Sequence, residues 1–123
     1  MVLVDTSVWI RFLAGQKPFA SKLDELLGRG DVCGHDYVFG ELLIGDKGGR
    51  KALLADYALI THVPVVPHQD VVEFVRARRL HGRGIGWIDT HLLASALVSR
   101  VSLWTTDPRL ADVARELGIA HSA

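Results

Sequence analysis

Short apolar segments that alternate with longer helical ones constrain the fold of this chain more than any other feature. Residues 2–4 are apolar at every position, which is typical of a strand buried on both faces of a parallel sheet. Residues 32–33 and 101–104 are further strand candidates. Strands that alternate with helices predict right-handed crossovers and an α/β domain whose parallel sheet is covered on both faces.

The helical segments carry apolar residues at helical spacing, with glycine, proline or capping residues at their ends. We predict helices over residues 8–13, 18–27, 37–44, 51–59 and 68–80, a helix that begins at Asp89, and a last helix from Asp107 to Leu117. We expect residues 63–66 to be extended, because a proline disfavours helical geometry in the residue before it. Residues 119–120 are a candidate edge strand.

Composition excludes several classes of protein. No repeat, low-complexity tract or linker interrupts the sequence, so we predict a single domain over residues 1–123. A hydrophobic content of 49% and a net charge of +0 exclude a disordered chain. Cys33 is the only cysteine, which excludes a disulfide scaffold and suits the reducing cytoplasm. No apolar run approaches the roughly 18 residues that cross a bilayer, and residues 1–5 lack the basic start of a signal peptide, so we expect no membrane partner.

The charge balance does not by itself indicate a nucleic-acid partner. Lysine and arginine number 14, as do aspartate and glutamate, whereas nucleic-acid binders usually carry a basic excess. If four of the 14 acids were gathered in a metal site, the rest of the chain would carry 10 acidic against 14 basic residues.

Four acidic residues stand where a purely structural role explains them poorly as a group. Asp5 follows the first predicted strand and Asp107 the last, while Asp89 opens an apolar helix. Glu41 is the only charged residue of segment 37–45, whose apolar residues cover nearly the whole helix circumference, so we expect that helix to be buried. Each acid has a structural alternative: a turn or cap for the aspartates, and a side chain that reaches the surface for Glu41.

Taken together, the acids predict a divalent metal site. Parallel sheets bind ligands at the carboxyl ends of their strands, where Asp5 and Asp107 are expected. Carboxylates that lie close together repel each other unless protons or a cation neutralise them. Oxygen ligands without histidine or cysteine suit Mg²⁺ or Mn²⁺, and such an ion activates water for hydrolysis of a phosphodiester bond.

Four short motifs that contain these acids resemble the ordered motifs of PIN-domain ribonucleases. They read Val-Asp5-Thr-Ser-Val-Trp, Gly-Glu41-Leu-Leu-Ile-Gly, Trp-Ile-Asp89-Thr-His-Leu-Leu-Ala and Trp-Thr-Thr-Asp107-Pro-Arg-Leu. The likeness covers the chain from end to end and is greatest to the toxin component of VapBC toxin–antitoxin pairs. It implies an α/β fold, a PIN-like α/β/α sandwich with a central, mainly parallel sheet of four to five strands flanked by helices.

The same resemblance implies a function and partners. The chain is expected to be an endoribonuclease that depends on Mg²⁺ or Mn²⁺. It is also expected to be a toxin that inhibits translation and growth until a cognate VapB-type antitoxin neutralises it. A homodimer and a toxin–antitoxin hetero-oligomer are the implied assemblies.

The resemblance also assigns roles to individual residues. The implied catalytic acids are Asp5, Glu41, Asp89 and Asp107. Asp5 and Asp89 are the implied direct metal ligands, while the other two acids orient water or hold a second metal. Side-chain hydroxyls beside the acids are implied to hydrogen-bond them: Thr6, Ser7 and Thr105.

Two groups of basic residues are candidate RNA contacts through phosphate. The first is one stripe of the helix predicted from His68, and the second follows the Glu41 helix. Their members are Arg76, Arg79 and Arg83, and Lys47, Arg50 and Lys51. The alternative for both groups is an ordinary solvated surface. Trp9, Trp87 and Trp104 each lie near a motif acid; we expect them in the core, with stacking on unpaired bases as the alternative.

Other functions fit the sequence less well. A phosphatase that uses Asp-x-Asp after the first strand would need an acid where Ser7 stands, and a phosphoacceptor domain would need a lysine after Lys51, where there is none. A non-catalytic RNA-binding or protein-interaction module with the same fold remains as the alternative, although the full set of acids argues against it.

Overall fold

The structure, a computed structural model, describes residues 1–122 and folds them as seven helices around a parallel sheet of three strands. The strands are β1 (Val2–Val4), β2 (Val32–Cys33) and β3 (Ser102–Trp104). The helices are α1 (Thr6–Leu13), α2 (Phe19–Gly28), α3 (Asp36–Ile44), α4 (Lys51–Leu59), α5 (His68–Arg78), α6 (Trp87–Ser99) and α7 (Pro108–Glu116). The predicted alternation of strands and helices is confirmed.

The first strand of the chain is the middle strand of the sheet. The order is β2-β1-β3, and Leu3 lies opposite Cys33 on one side and Leu103 on the other. Val2, Leu3 and Val4 are all buried. Because successive side chains of a strand point to opposite faces, helices cover both faces of the sheet, as the α/β/α sandwich requires.

The prediction of four to five strands is wrong: within residues 1–122 the sheet has three. His62, just before the segment predicted to be extended, and Ala120 of the candidate edge strand each form one parallel bridge, with Gly34 and Leu103. The Val63 N–H bonds the Gly34 carbonyl, but Pro64, which follows, has no N–H to continue the ladder. The chain therefore touches each sheet edge for a single pair without becoming a strand.

The helix that carries Glu41 is buried on one face only. Val38 and Leu42 of α3 lie one turn apart and face the core, whereas Leu43 is 53% and Ile44 89% exposed. The expectation of a buried helix was wrong because apolar residues on the outer face of α3 are not covered within the chain. Helix α6 takes the buried position instead, with every residue from Thr90 to Ala96 enclosed.

Three helix boundaries differ from prediction by two residues, and the others agree to within one. Helix α1 begins at Thr6 and α6 at Trp87, two residues before the predicted starts. Helix α5 ends at Arg78, and Arg79 adopts a left-handed conformation with φ of 54°. No helix in the described part of the chain combines the length and apolar character that a membrane span needs.

Candidate active site

Two of the acids meet where adjacent strands end. Asp5 directly follows β1, and Asp107 lies three residues after β3 at the start of α7. These strands are parallel neighbours, so their carboxyl ends lie at the same edge of the sheet. The Asp5 N–H donates to the Trp104 carbonyl at 2.9 Å, which extends the pairing of the two chains to the acid itself. Asp5 is buried at this edge.

Two hydroxyls hold the Asp5 carboxylate. Ser7 and Thr105 donate to its Oδ2 atom at 2.7 and 2.8 Å. Each hydroxyl also accepts a backbone N–H of the chain after β3: Ser7 from Thr106, and Thr105 from Asp107, both at 3.1 Å. The single proton of each hydroxyl is therefore directed to Asp5, and the loop that carries Asp107 is tied to the same carboxylate. Two of the three predicted hydroxyl contacts lie here.

The third hydroxyl brings in Glu41. Thr6, the first residue of α1, donates its hydroxyl to Glu41 Oε1 on α3 at 2.7 Å, across 35 positions of sequence. Thr6 and Ser7 thus bind acids rather than cap α1. This contact explains how a charged residue is accommodated on α3, since a partly buried carboxylate needs a hydrogen-bond donor.

Asp89 is the third residue of α6 and accepts the Gly86 N–H at 3.0 Å through Oδ2. Burial raises the pKa of Asp89 above its ordinary value, the Gly86 hydrogen bond opposes this shift, and the negative charges of Asp5, Asp107 and Glu41 raise the pKa further. The three other acids therefore lie close enough to act on Asp89. The four predicted acids thus lie in one region of negative charge.

Each of the four carboxylates is held by one oxygen only. The oxygens in use are Asp5 Oδ2, Glu41 Oε1, Asp89 Oδ2 and Asp107 Oδ1, which accepts the Arg109 N–H at 2.9 Å. Within residues 1–122 the second oxygen of each acid has no hydrogen-bond partner, and no ion pair includes any of the four. Fixed carboxylates with one free oxygen each are the donor set that a hard divalent cation takes.

The four acids do not form a closed cage. Among the described residues, no group of three or more acidic, histidine or cysteine side chains is arranged so that it could hold a metal ion. The cluster is an open set of neighbouring carboxylates at the edge of the sheet. Its chemistry is that of oxygen ligands alone, without a competing internal cation.

Within residues 1–122, none of the predicted RNA-contact residues hydrogen-bonds to the four acids. Lys47, Lys51 and Arg76 are exposed, and so is Arg79, the residue that follows α5. Because Arg79 is left-handed and Arg83 lies in the following loop, the predicted helical stripe is wrong. Two of the arginines have internal partners. Arg50 donates to the Leu42 carbonyl at 2.9 Å, and Arg83 pairs with Glu116.

Comparison of the sequence with known proteins shows the family. Residues 2–116 match the PIN domain. The chain belongs to the PIN-domain family. Over 121 residues it is 43% identical to Ribonuclease VapC32 from two strains of Mycobacterium tuberculosis, and the match covers 98% of this chain and 95% of that protein. The resemblance to the VapC branch of PIN domains, drawn from four motifs, is thus confirmed along the whole chain.

This PIN domain also has features that the motifs did not reveal. Trp9 and Trp104 are buried, as expected, but Trp87 is 44% exposed beside a cleft on α3, so its assignment to the core was wrong. Arg109 packs against Gly84, in the loop before Asp89. Trp87 is the first residue of α6 and precedes the buried residues 90–96 of that helix. This position at the helix end is the feature that could have indicated its exposure.

Proposed function

We propose that this chain is a metal-dependent endoribonuclease that acts as the toxin of a toxin–antitoxin pair. The observation that carries the proposal is the cluster of four carboxylates, each fixed by one hydrogen-bonded oxygen and each with the other oxygen free. The full-length similarity to a protein named Ribonuclease VapC32 supports the same activity. Hydrolysis of an RNA phosphodiester bond is the reaction that such a cluster serves.

Asp5 and Asp89 are the proposed direct ligands of Mg²⁺ or Mn²⁺, with Glu41 and Asp107 orienting water or holding a second ion. Mg²⁺ keeps several waters and needs only one or two carboxylates from the protein, so an open cluster is sufficient. When bound, the ion polarises the phosphoryl group and lowers the pKa of its water. Asp89 has a raised pKa, so protons compete with the ion for this acid as pH falls.

The side chains around the ligands supply orientation. Ser7 and Thr105 direct the free Oδ1 of Asp5, because both hydroxyls hold the opposite oxygen. Thr6 holds Glu41 so that its free Oε2 accepts a hydrogen bond, and then a proton, from the attacking water. Outer-shell hydrogen bonds of this kind keep ligands in position and are worth about 10- to 100-fold in metal affinity or activity.

The proposed partners follow from the same family. An RNA substrate, a cognate VapB-type antitoxin, a homodimer and a toxin–antitoxin hetero-oligomer in the cytoplasm complete the proposal. The exposed lysines and arginines at positions 47, 51, 76 and 79 are the proposed phosphate contacts on the RNA. Arg50 and Arg83 are less suited to that role because each already has a partner.

Cleavage of RNA by the antitoxin-free protein tests the proposal. The protein is incubated with structured RNA and Mg²⁺ or Mn²⁺, and we expect cleavage that a chelator abolishes. Asp5→Asn should lose at least about 100-fold in rate, because it removes a metal ligand. Asp24→Asn, an exposed acid on α2, is the matched control and should cut as the wild type does. Equal cleavage by the wild type and Asp5→Asn would refute the proposal.

A further inference from the structure

A solvent-open cleft of about 420 Å³ lies between α3 and the first turn of α6. Four positions of α3 and two of α6 line most of it: Tyr37, Gly40, Glu41, Ile44, Trp87 and Ile88. We call it the Trp87 cleft. Its walls are aromatic and aliphatic apart from carboxylates, and its volume lies in the range of sites that hold one small organic group.

The aromatic wall of the cleft is held by other rings. The Trp87 ring meets the His91 ring edge to face at 5.2 Å between centroids and lies 5.4 Å from the His68 ring. The Tyr37 ring lies 4.9 Å from His91 and 5.1 Å from His35. Trp87 nevertheless remains 44% exposed. A large aromatic ring that is fixed on one side and open on the other is a preformed stacking surface.

The floor of the cleft is kept open by a glycine in the middle of a helix. Gly40 is the fifth residue of α3, where glycine is less favourable than alanine, and a Cβ there would meet no other atom within 4 Å. Packing in the described chain therefore does not require glycine at this position. Because Gly40 has no side chain, space remains in the cleft beside Trp87 and Glu41.

The cleft is continuous with the acid cluster. Glu41 belongs to both, and Trp87 lies two residues before Asp89 on α6. A polynucleotide whose phosphate lies at the acids therefore has a neighbouring nucleotide within reach of the cleft. The charged residues of the lining are Asp36 and Glu41, so an uncharged base is favoured there over a phosphate.

We propose that the Trp87 cleft binds an unpaired nucleobase of the RNA, next to the phosphodiester bond that is cut, by stacking on Trp87. This inference rests on the proposed ribonuclease function and adds a determinant of substrate recognition to it. The base enters as a single-stranded nucleotide, because a ring paired within a helix cannot present its face to the side chain. Substrates whose cleavage site is unpaired are therefore preferred over duplexes.

Fluorescence of Trp87 reports the stacking directly. The Asp5→Asn protein, which leaves RNA uncut, is titrated with a mixed-sequence single-stranded RNA oligonucleotide. Trp9 and Trp104 are buried, so quenching by a stacked base comes from Trp87. We expect quenching in the parent protein and none when Trp87→Phe is added. We expect Trp87→Leu to weaken binding about 10-fold, since base stacking dominates such contacts.

Two further variants separate stacking from a fault in folding. Gly40→Leu fills the cleft with a residue that favours helix, and it should weaken RNA binding while leaving the helix content unchanged. Val98→Ala, on α6 but outside the cleft and 65% exposed, is the matched control and should bind as the parent does.

The outcomes separate this inference from the proposed function. Unchanged RNA affinity in both Trp87→Leu and Gly40→Leu, without quenching of the parent, would overturn it and would leave the cleft to a protein segment instead. Cleavage by the wild-type protein in that case would show that the ribonuclease function stands. Absence of metal-dependent cleavage by the wild type would instead refute the function itself.

Discussion

Single hydroxyl groups decide how the acids of this PIN domain are presented. Ser7 and Thr105 both donate to the same oxygen of Asp5, and Thr6 does the same for Glu41. A carboxylate that is held at one oxygen turns less freely, so its other oxygen points in a defined direction. The orientation of the proposed ligands therefore depends on side chains that never touch the ion.

Thr105→Val tests this dependence. Valine keeps the shape of threonine but removes the hydrogen bond to Asp5 Oδ2 and the acceptor for the Asp107 N–H. We expect RNA cleavage at a fixed Mg²⁺ concentration to fall about 10- to 100-fold, as is typical of lost outer-shell contacts. Thr105→Ser keeps the hydroxyl and should retain most of the rate. The measurement is the initial cleavage rate across a metal titration. A valine variant as active as the serine variant would contradict the role of the Thr105 hydroxyl.

His35 is a buried side chain whose protonation affects folding rather than chemistry. Its Nδ1 accepts the Tyr37 N–H at 3.0 Å at the start of α3, and its Nε2 lies 3.0 Å from the Ser95 hydroxyl. Burial lowers the pKa of His35 from 6.5 to about 4. The folded protein therefore keeps this ring neutral at pH values where the unfolded chain has taken up a proton.

Stability should fall as the pH is lowered through that window. Between about pH 6.5 and about pH 4 the unfolded state binds the extra proton, so the free energy of unfolding decreases, by roughly 3 kcal/mol in full. Chemical denaturation at several pH values measures it. His35→Asn keeps a cap for α3 and should show a smaller slope, although the lowered pKa of His91 and of His121 leaves part of it. Identical slopes in both proteins would contradict the assignment.

The loop between α5 and α6 links the PIN-domain acids to each other. Gly84 has φ of +80°, and a Cβ on it would lie 2.8 Å from Cδ and Nη1 of Arg109. Two residues later, Gly86 supplies the N–H that Asp89 accepts, while Arg109 supplies the N–H that Asp107 accepts. The loop thus contacts α7 at the residue whose N–H binds Asp107, and it supplies the N–H that binds Asp89.

Gly84→Ala should disturb both acids. The added methyl group displaces the end of the exposed Arg109 side chain and so removes this contact between the loop and α7, and we expect cleavage to fall by less than about 10-fold. Gly82→Ala separates the collision from backbone strain, because Gly82 has φ of +71° but open space around it. The two variants should lose similar stability in thermal unfolding, and Gly84→Ala alone should lose part of its activity. Equal activity of the two variants would show that Arg109 does not hold the loop.

Much of the molecule could be predicted from local pattern. The three apolar residues of β1 indicated a strand buried on both faces, and a parallel sheet then placed Asp5 and Asp107 at one edge. Chain topology makes these two acids neighbours without any knowledge of side-chain packing. The hydroxyl partners Thr6, Ser7 and Thr105 were likewise predicted, through resemblance to the family motifs.

The features that were not predicted depend on contacts between segments that are distant in the sequence. One face of α3 and the Trp87 ring are exposed because no other segment of the chain covers them. The hydrophobicity of these residues does not indicate whether a neighbour covers them. The number of strands was overestimated because an extended segment counts as a strand only if its backbone pairs over several residues. Instead, His62, just before the extended segment 63–66, and Ala120 each make a single bridge.

Direct measurement of metal binding tests the central claim, that Asp5 and Asp89 of the carboxylate cluster bind a divalent ion. Mn²⁺ is titrated by calorimetry into the antitoxin-free wild type, the double variant Asp5→Asn/Asp89→Asn, and the control Asp24→Asn. We predict binding by the wild type and the control, and a loss of at least about 10-fold in affinity in the double variant. Equal Mn²⁺ affinity in all three proteins would contradict the claim.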